Sequence, residues 1–372
     1  MTDIKERKIN PYDPFDNETE NCAYSSSYEN IEPAIAEKGF ELPLLPEKNE
    51  RKRIRHYFNA AGLGLFAGAV AANIVFIVLL TFLEIVLTGS FDADKMADAE
   101  NYINNNSSVL IALNGLIFMF VNLIPAVVGS HATGIRMRSY FRPIKTDKPQ
   151  LLKYMVMGIF IQAVTGILYF IISTALEKGG INDYTSDIDT YVNAKSIIAT
   201  ALYSCIVAPV TEEILYRGFV MKNLSRVSQH FGIIASAALF GLAHENIAQF
   251  ILAFPIGIFL GRITVKHNSL IPSILVHMTV NTFSFGMGIL TEYVSGDNMS
   301  SIILFITEIL YYFVAGLGMV FWIKEVKKSR LPANTIRQSY RGIRIALTSP
   351  WLMAAAIFHF SMAIVAIAMQ NV

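Results

Sequence analysis

The chain has 372 residues, of which 53% are hydrophobic and 16% charged, and its formal net charge at pH 7 is +1. This composition is more apolar and less charged than that of soluble domains, so it predicts a polytopic membrane protein. The near-neutral charge argues against nucleic acid as a partner, and two cysteines, Cys22 and Cys205, support neither a disulfide framework nor a cysteine metal site.

The first fifty residues are rich in Asn, Pro, Ser, Tyr and Glu and have no hydrophobic periodicity, which is typical of a disordered tail. Residues 51–372 contain seven apolar stretches, each long enough to cross a hydrocarbon core of about 30 Å. These stretches are 57–88, 109–129, 151–176, 195–222, 269–290, 301–323 and 350–370. We therefore expect a cytoplasmic tail over 1–50 and a transmembrane helical domain over 51–372.

Residues 231–266, between the fourth and fifth stretches, are also strongly apolar. This segment is too short for two full spans of about 20 residues each and a turn. It predicts a shortened helical hairpin that need not reach the far interface, and such a structure is tolerated at membrane depth only where the protein surrounds it. The predicted fold is all-α: a polytopic transmembrane helical bundle of about eight to nine membrane segments, including this hairpin.

The distribution of Lys and Arg predicts the orientation, because these residues gather in cytoplasmic connections. With the hairpin counted as two crossings, the connections expected inside are the basic segments 51–55, 136–148, 222–226, 262–266 and 324–344. The connections expected outside carry Lys95 and Lys178 beside clusters of Asp and Glu. We expect an integral protein of the plasma (cytoplasmic) membrane, with its amino terminus in the cytoplasm and its carboxyl terminus outside.

Ionisable residues within predicted spans mark candidate functional positions, because each costs a few kcal/mol to insert into a membrane. Three of them, Glu212, Glu213 and Arg217, lie in the fourth stretch. Glu213 and Arg217 are four residues apart and share a helix face, so we expect them to pair. Glu212 points about 100° away from Glu213 on an α-helix and is left for another task.

Two later segments place an imidazole at the same four-residue spacing from a second group. Phe240 precedes His244 by four residues, and His277 precedes Asn281 by four. Counting about 1.5 Å per residue from the expected cytoplasmic helix ends, Glu212, His244 and Asn281 lie about 18–20 Å deep and His277 about 12 Å. We expect these polar groups to meet in one layer of the membrane.

Each of these residues also has a purely structural interpretation. A single histidine or asparagine in a span often joins two helices by a hydrogen bond, and Arg217 alone is explained as an anchor near a cytoplasmic helix end. His131, His267 and His359 have no matching partners in the sequence, and we interpret them as interfacial or packing residues. The combined pattern, rather than any one residue, indicates a site.

The three segments resemble the motifs of the CPBP intramembrane proteases, a family that contains the type II CAAX prenyl endopeptidases and bacterial Abi-type relatives. EEILYR, which begins at Glu212, resembles the EExxxR motif; FGLAH, which ends at His244, resembles FxxxH; and HMTVN, which begins at His277, resembles HxxxN. The motifs occur in the family's order. They lie within residues 195–290, about a quarter of the chain, which the resemblance identifies as a catalytic core.

The resemblance implies an endopeptidase that hydrolyses peptide bonds in a chamber within the membrane. By their match to the motifs, Glu212 activates a water molecule and His244 helps to position it, while His277 and Asn281 stabilise the oxyanion. The supporting positions are Glu213, Arg217 and Phe240. The implied partners are the lipid bilayer and a peptide or protein substrate, membrane-anchored or not.

The older naming of the family as metalloproteases raises the question of a metal. The string that begins at His244 is HENIA, with Ala248 in the fifth position, so the H-E-x-x-H helix of zinc proteases is absent. Glu212, His244 and His277 still form a two-histidine, one-carboxylate set suited to zinc with an open position. The sequence leaves glutamate-dependent and zinc-dependent mechanisms open and indicates no other cofactor.

Two other functions would use the same residues. One is a non-catalytic membrane scaffold or immunity protein of the same family, although a scaffold has no need of a general base. The other is a proton-coupled transporter in which Glu212 and the histidines relay protons, although no inverted repeat is evident. The intramembrane endopeptidase is the predicted function.

Overall fold

The computed structural model of the chain describes residues 46–88, 107–143, 147–179, 196–294, 298–326 and 335–370. Within these ranges the chain forms ten longer helices, one three-residue 3₁₀ helix (Met137–Ser139) and no strand. The helices are α1 (Pro46–Thr88), α2 (Ser107–Ala132), α3 (Lys148–Lys178), α4 (Ile197–Leu224), α5 (Gln229–Leu242), α6 (Ile247–His267), α7 (Ile271–Tyr293), α8 (Asn298–Val326), α9 (Thr335–Ala346) and α10 (Pro350–Gln370).

Eight of the described helices are long and apolar enough to cross a membrane; α5 and α9 are the two shorter ones. Many large apolar side chains on these helices are exposed, as expected where a helix faces lipid rather than water. The predicted all-α, polytopic bundle is confirmed. The protein is an integral membrane protein.

The predicted hairpin is formed by α5 and α6, and only its first arm is short. α5 has 14 residues and α6 has 21. Side-chain caps begin both arms: Ser228 accepts the N–H of Phe231 at 3.0 Å, and Asn246 accepts the N–H of Gln249 at 3.1 Å. α6 ends at His267, and the left-handed backbone of the next residue, Asn268 (φ 47°), turns the chain back toward α7.

One end of the bundle gathers the connections that are rich in Lys and Arg. Both ends of the hairpin lie there, because Gly232 of α5 packs on Ser225 and the segment after α6 bonds to the connection between α2 and α3. We call this the basic end. Contacts across it join Leu270 to Tyr140, Lys222 to Ser139, Arg55 to Thr348 and Arg341 to Glu50.

Helix α4 lies at the centre of the bundle and contacts α1, α2, α5, α6 and α7. Phe219, Val220 and Leu224 of α4 are completely buried in the main hydrophobic cluster. The helix is irregular, with two π-helical stretches, Tyr203–Val207 and Glu213–Val220. Such stretches are rare and occur frequently at functional sites.

Two boundaries differ from the expectation. α1 begins at Pro46, within the predicted tail, and the segment 324–344, expected to be a connection, contains most of α9. α9 was missed because it is too polar to resemble a span; its Ile345 is nevertheless buried in the main cluster, and Gly342 packs against the ring of Phe231. Residues 1–45 and most of the acidic connections lie outside the described residues, so the disordered tail stays a prediction.

Candidate active site

Helix α4 carries a completely buried ion pair. Nη1 of Arg217 lies 2.8 Å from Oε1 of Glu213, and neither side chain is exposed. The geometry of this contact is that of an ion pair without a hydrogen bond. Within the described part of the chain, Nε and Nη2 of Arg217 also have no hydrogen-bond partner. The guanidinium instead covers the ring of Phe240, with Cζ 4.4 Å from the ring centroid. An isolated charge is not tolerated at such a position, so each partner makes the burial of the other possible.

His277, in α7, lies between the two adjacent carboxylates of α4. Its Nδ1 is 3.1 Å from Oε1 of Glu213, and its Nε2 is 3.7 Å from Oε2 of Glu212. The first distance is that of a hydrogen bond and the second is too long for one. Arg217 holds Glu213 as a carboxylate, which accepts the hydrogen bond from Nδ1–H. The series Arg217, Glu213, His277 thereby directs Nε2 toward Glu212.

Glu212 and Glu213 differ in their access to solvent and substrate. The side chain of Glu212 retains 14% of its exposure, whereas that of Glu213 retains none. Only Glu212 is therefore open to a water molecule or a peptide. The two neighbours are chemically identical, so the difference between them lies in their surroundings alone.

The four-residue spacing of Phe240 and His244 follows from the way α5 ends. α5 stops at Leu242, so the carbonyl of Phe240 is among the last four that have no N–H partner inside the helix. Nδ1 of His244 lies 2.8 Å from that carbonyl oxygen. A carbonyl only accepts, so Nδ1 carries the hydrogen, and Nε2 of the neutral ring is bare. The imidazole caps the helix through Nδ1, which leaves Nε2 as the nitrogen that can accept a hydrogen bond.

The ring of Phe240 connects the two imidazoles. His244 and His277 both contact it edge-on, at centroid distances of 5.0 Å and 5.8 Å and an interplanar angle of 86° in each case. Tyr216 of α4 packs on the same ring at 5.1 Å. Edge-to-face packing of this kind is favourable for aromatic rings. Phe240 therefore brings α4, α5 and α7 together at the polar residues.

Asn281 is directed at the first π-helical stretch of α4. Its Nδ2 donates to the carbonyl of Ser204 at 2.9 Å. That carbonyl has no backbone partner, because the N–H of Ala208 bonds the carbonyl of Tyr203 and the next residue, Pro209, has no N–H. One of the two amide hydrogens of Asn281 is thus committed to α4, and the second is left for another acceptor.

The motifs that contain Glu212, His244 and His277 lie within one segment that matches a known family model. Residues 194–283 match the family model described as type II CAAX prenyl endopeptidase Rce1-like. We call this matching segment the Rce1-like domain. The resemblance to the CPBP intramembrane proteases is confirmed, and the family supports a CAAX-type intramembrane protease in general. No curated protein and no solved structure matches the chain.

The Rce1-like domain runs from the residues just before α4 into α7, so it contains all the predicted site residues. The structure brings Glu212 next to His277, and joins His277 and His244 through the ring of Phe240. Asn281, one turn after His277, contacts the backbone of α4 instead of another site side chain. The catalytic roles of these residues remain predictions.

A three-ligand zinc site is not formed by the Rce1-like domain in this conformation. Glu212, His244 and His277 have suitable donor atoms, including two bare imidazole nitrogens. Nevertheless, no three His, Cys, Asp or Glu side chains in the described ranges are close enough to share a metal ion. The donor types fit zinc but their arrangement does not, and we derive no step through a metal.

Two partners of the remaining histidines were missed from the sequence. His359 was interpreted as a packing residue, but its Nδ1 lies 2.9 Å from Oε1 of Glu245, next to the Rce1-like FxxxH motif. His267 contacts the hydroxyl of Tyr154 at 3.2 Å. The available signal for His359 was its place near the middle of a span, where an ionisable group requires a partner. The identity of that partner depends on the backbone conformation of the hairpin turn, which the sequence did not predict.

Proposed function

We propose that the Rce1-like domain is an intramembrane endopeptidase in which Glu212 is the general base. The observation that supports this most directly is the difference between the adjacent carboxylates. Glu213 is buried and ion-paired, whereas Glu212 is partly exposed and faces Nε2 of His277. A partly exposed carboxylate that lies outside the buried ion pair, in a site with two oriented imidazoles, is suited to proton transfer.

The proposed reaction begins when Glu212 takes a proton from a water molecule as the water oxygen adds to the scissile carbonyl carbon. The carbonyl oxygen becomes an oxyanion in a tetrahedral intermediate. When the intermediate collapses, the C–N bond breaks, and the leaving nitrogen takes the proton from the Glu212 carboxyl. This step restores the carboxylate and releases a carboxyl product and an amine.

His244 is proposed to orient the water. Its Nδ1–H is held by the carbonyl of Phe240, so the bare Nε2 of the neutral ring accepts a hydrogen from water. That hydrogen bond, together with the one to Glu212, fixes the direction of the water lone pair. Fixed orientation of this kind accounts for a large part of many enzymatic rate enhancements.

His277 and Asn281 are proposed to stabilise the oxyanion. Asn281 has a second amide hydrogen besides the one that it donates to Ser204. His277 donates from Nε2 only when the ring carries two protons, since Nδ1–H is committed to Glu213. An oxyanion donor of this kind contributes about 2.7–4 kcal/mol to the transition state.

The test is cleavage of two fluorescence-quenched peptides by the purified protein in detergent micelles. One peptide ends in a farnesylated Cys-aliphatic-aliphatic-X sequence, and the other lacks the prenyl group. We expect Glu212→Gln to lower kcat by a factor of about 10²–10⁴. The matched control is Glu308→Gln, an exposed carboxylate in α8, which should cleave like the wild type. Equal cleavage by wild type and Glu212→Gln would contradict the proposal.

The substrate is to be identified in cells by mass spectrometry of membrane peptides and proteins, comparing wild type with Glu212→Gln. Fragments that appear only with the wild type identify both the target and the cleaved bond. Solute flux in proteoliposomes without any proteolysis would instead support the transporter.

The metal requirement has its own measurement. If the mechanism uses glutamate alone, the purified enzyme keeps full activity after exhaustive chelation, and elemental analysis finds no zinc. Loss of activity on chelation, restored by zinc, would instead establish the metal-dependent mechanism.

A further inference from the structure

The turn between α5 and α6 contains a strained residue. Glu245 has a φ of 54°, in the left-handed region that side chains rarely adopt. Its N–H donates to the carbonyl of Leu242 at 3.0 Å, which closes the turn. Glycine would adopt this conformation without steric cost. A glutamate at this position therefore suggests that its side chain has a task, since strained residues persist where function requires them.

The side chain of Glu245 reaches the last helix of the bundle. Oε1 of Glu245 accepts a hydrogen bond of 2.9 Å from Nδ1 of His359, in α10. The side chain of His359 is 7% exposed and that of Glu245 is 31% exposed, so the contact is partly buried. His359 lies outside the Rce1-like domain. This contact attaches the residue that follows His244 to a helix far away in the sequence.

The depth of the turn explains why it needs such an attachment. α5 has 14 residues, so at about 1.5 Å per residue it rises about 21 Å and stops short of the far side of a core of about 30 Å. α10 begins at the basic end, near Pro350, and His359 lies about 14 Å further along. Irregular backbone within a bilayer is tolerated only where protein covers it. α10 contacts α5 and supplies that cover, with one polar group aimed at the turn.

We propose that Glu245 and His359 are positioning residues that hold the turn and thereby orient the imidazole of His244. This inference rests on the proposed function, in which His244 orients the water. Without the hydrogen bond to His359, the strained backbone of Glu245 relaxes toward negative φ. The peptide unit between His244 and Glu245 then rotates, and Nδ1 of His244 moves away from the carbonyl of Phe240.

The experiment compares four variants of the full-length protein with the two quenched peptides. His359→Leu removes the donor, and His359→Asn places an amide N–H near the position of Nδ1. Glu245→Ala removes the acceptor, and Glu245→Gly removes it while permitting the observed backbone without strain. The control is His267→Leu, which removes another histidine contact of similar length at the basic end.

We expect His359→Leu and Glu245→Ala each to lower kcat by about 10- to 100-fold with KM unchanged, the effect of a displaced catalytic group. A double variant that combines His359→Leu with Glu245→Ala should lose no more than either single variant. His359→Asn should recover most of the rate, and His267→Leu should cleave like the wild type. Thermal unfolding, measured in parallel, allows each rate to be expressed per folded protein.

Three outcomes would overturn the positioning role. They are wild-type kcat in His359→Leu, additive losses in the double variant, and full activity of Glu245→Gly, which would mean that the backbone conformation alone suffices. A wild type that cleaves neither peptide, or a Glu212→Gln variant that cleaves both, would overturn the proposed function and this role with it. Active wild type with inactive Glu212→Gln and unaffected His359→Leu would overturn only the positioning role.

Discussion

Glu212 and Glu213 are adjacent in the chain but lie in different environments, because α4 supplies an arginine to only one of them. Arg217 is one turn away from Glu213 and pairs with it at complete burial. Glu213 in turn holds His277 by a hydrogen bond. The buried ion pair therefore has a consequence beyond stability: it sets the direction of an imidazole and leaves Glu212 accessible.

Replacement of Arg217 tests how much the fold depends on this pair. Arg217→Ala leaves the carboxylate of Glu213 buried without its cation, so we expect the free energy of unfolding to fall by about 3–5 kcal/mol. The measurement is reversible unfolding in mixtures of mild detergent and dodecyl sulfate. Arg262→Ala, an exposed arginine in α6, is the control and should change the value by less than about 0.5 kcal/mol. A similar small change in Arg217→Ala would contradict the structural importance of the pair.

The spacing rules of an α-helix predicted part of this site. Groups four residues apart share a helix face, and this gave the expected contact of Glu213 with Arg217 and the alignment of Phe240 with His244. The hydrogen bond of His244 to a backbone carbonyl was not predictable, because that carbonyl is free only if α5 ends where it does, and the sequence did not give that residue. The hydrogen bond between Glu245 and His359 depends on the left-handed backbone of Glu245, a conformation that a glutamate does not predict.

Helix α4 is irregular, and a side chain from another helix supplies a hydrogen bond that its own backbone lacks. Its π-helical register and Pro209 together leave the carbonyl of Ser204 without a backbone donor. Asn281, from α7, supplies the missing hydrogen at 2.9 Å. Proline in a predicted span is a signal that a carbonyl is free nearby, but the sequence does not say which helix will provide the donor.

A double-mutant cycle measures whether Asn281 and the missing N–H of Pro209 act on the same carbonyl, that of Ser204. Asn281→Leu leaves the Ser204 carbonyl unpaired and is expected to lower the free energy of unfolding by about 1–3 kcal/mol. Pro209→Ala restores an N–H that can bond the same carbonyl, so the loss caused by Asn281→Leu should be smaller in the Pro209→Ala background. We expect a coupling energy of about 0.5–3 kcal/mol. Strictly additive effects would show that the two residues do not serve the same carbonyl.

Close approach of α1 and α10 depends on one glycine. A Cβ at Gly62 would lie 2.2 Å from the backbone nitrogen of Leu352, and a backbone atom cannot move aside as a side chain does. We expect Gly62→Ala to lower the free energy of unfolding by about 1–3 kcal/mol. Gly166, in α3, has no atom within 4 Å of the corresponding position, so Gly166→Ala should be neutral or stabilising by up to about 1 kcal/mol. Equal effects of both substitutions would contradict the close packing of α1 against α10.

At the scale of the whole molecule, composition and apolar segment length were sufficient to predict the helical bundle. Seven long apolar stretches and one apolar segment too short for two spans gave the right elements, because a helix in lipid must satisfy its own backbone and cover the core thickness. The amphipathic α9 was not found, since its polar face hides it from a search for spans. The division of the hairpin into unequal arms was also not predictable from its length alone.

The hairpin decides how many times the chain crosses the membrane. Eight described helices are long enough to cross, and eight crossings would place both termini on the same side. However, α5 begins and α6 ends at the basic end, so the hairpin adds no net crossing. If each of the other seven long described helices crosses once, we expect the termini to lie on opposite sides. The concentration of Lys and Arg at the basic end predicts that this end, with the amino terminus, is cytoplasmic.

Reporter fusions distinguish an odd from an even number of membrane crossings. We expect a green fluorescent protein fused to the amino terminus to fluoresce, and one fused to the carboxyl terminus to stay dark while alkaline phosphatase at that terminus is active. A control truncated after α8 removes one crossing and should return the carboxyl-terminal fusion to the fluorescent side. If both termini fluoresce in the full-length chain, the number of crossings is even, so the hairpin does not return to the side on which it began. The placement of both its ends at the basic end, and with it the depth argued for the turn at Glu245, would then be wrong.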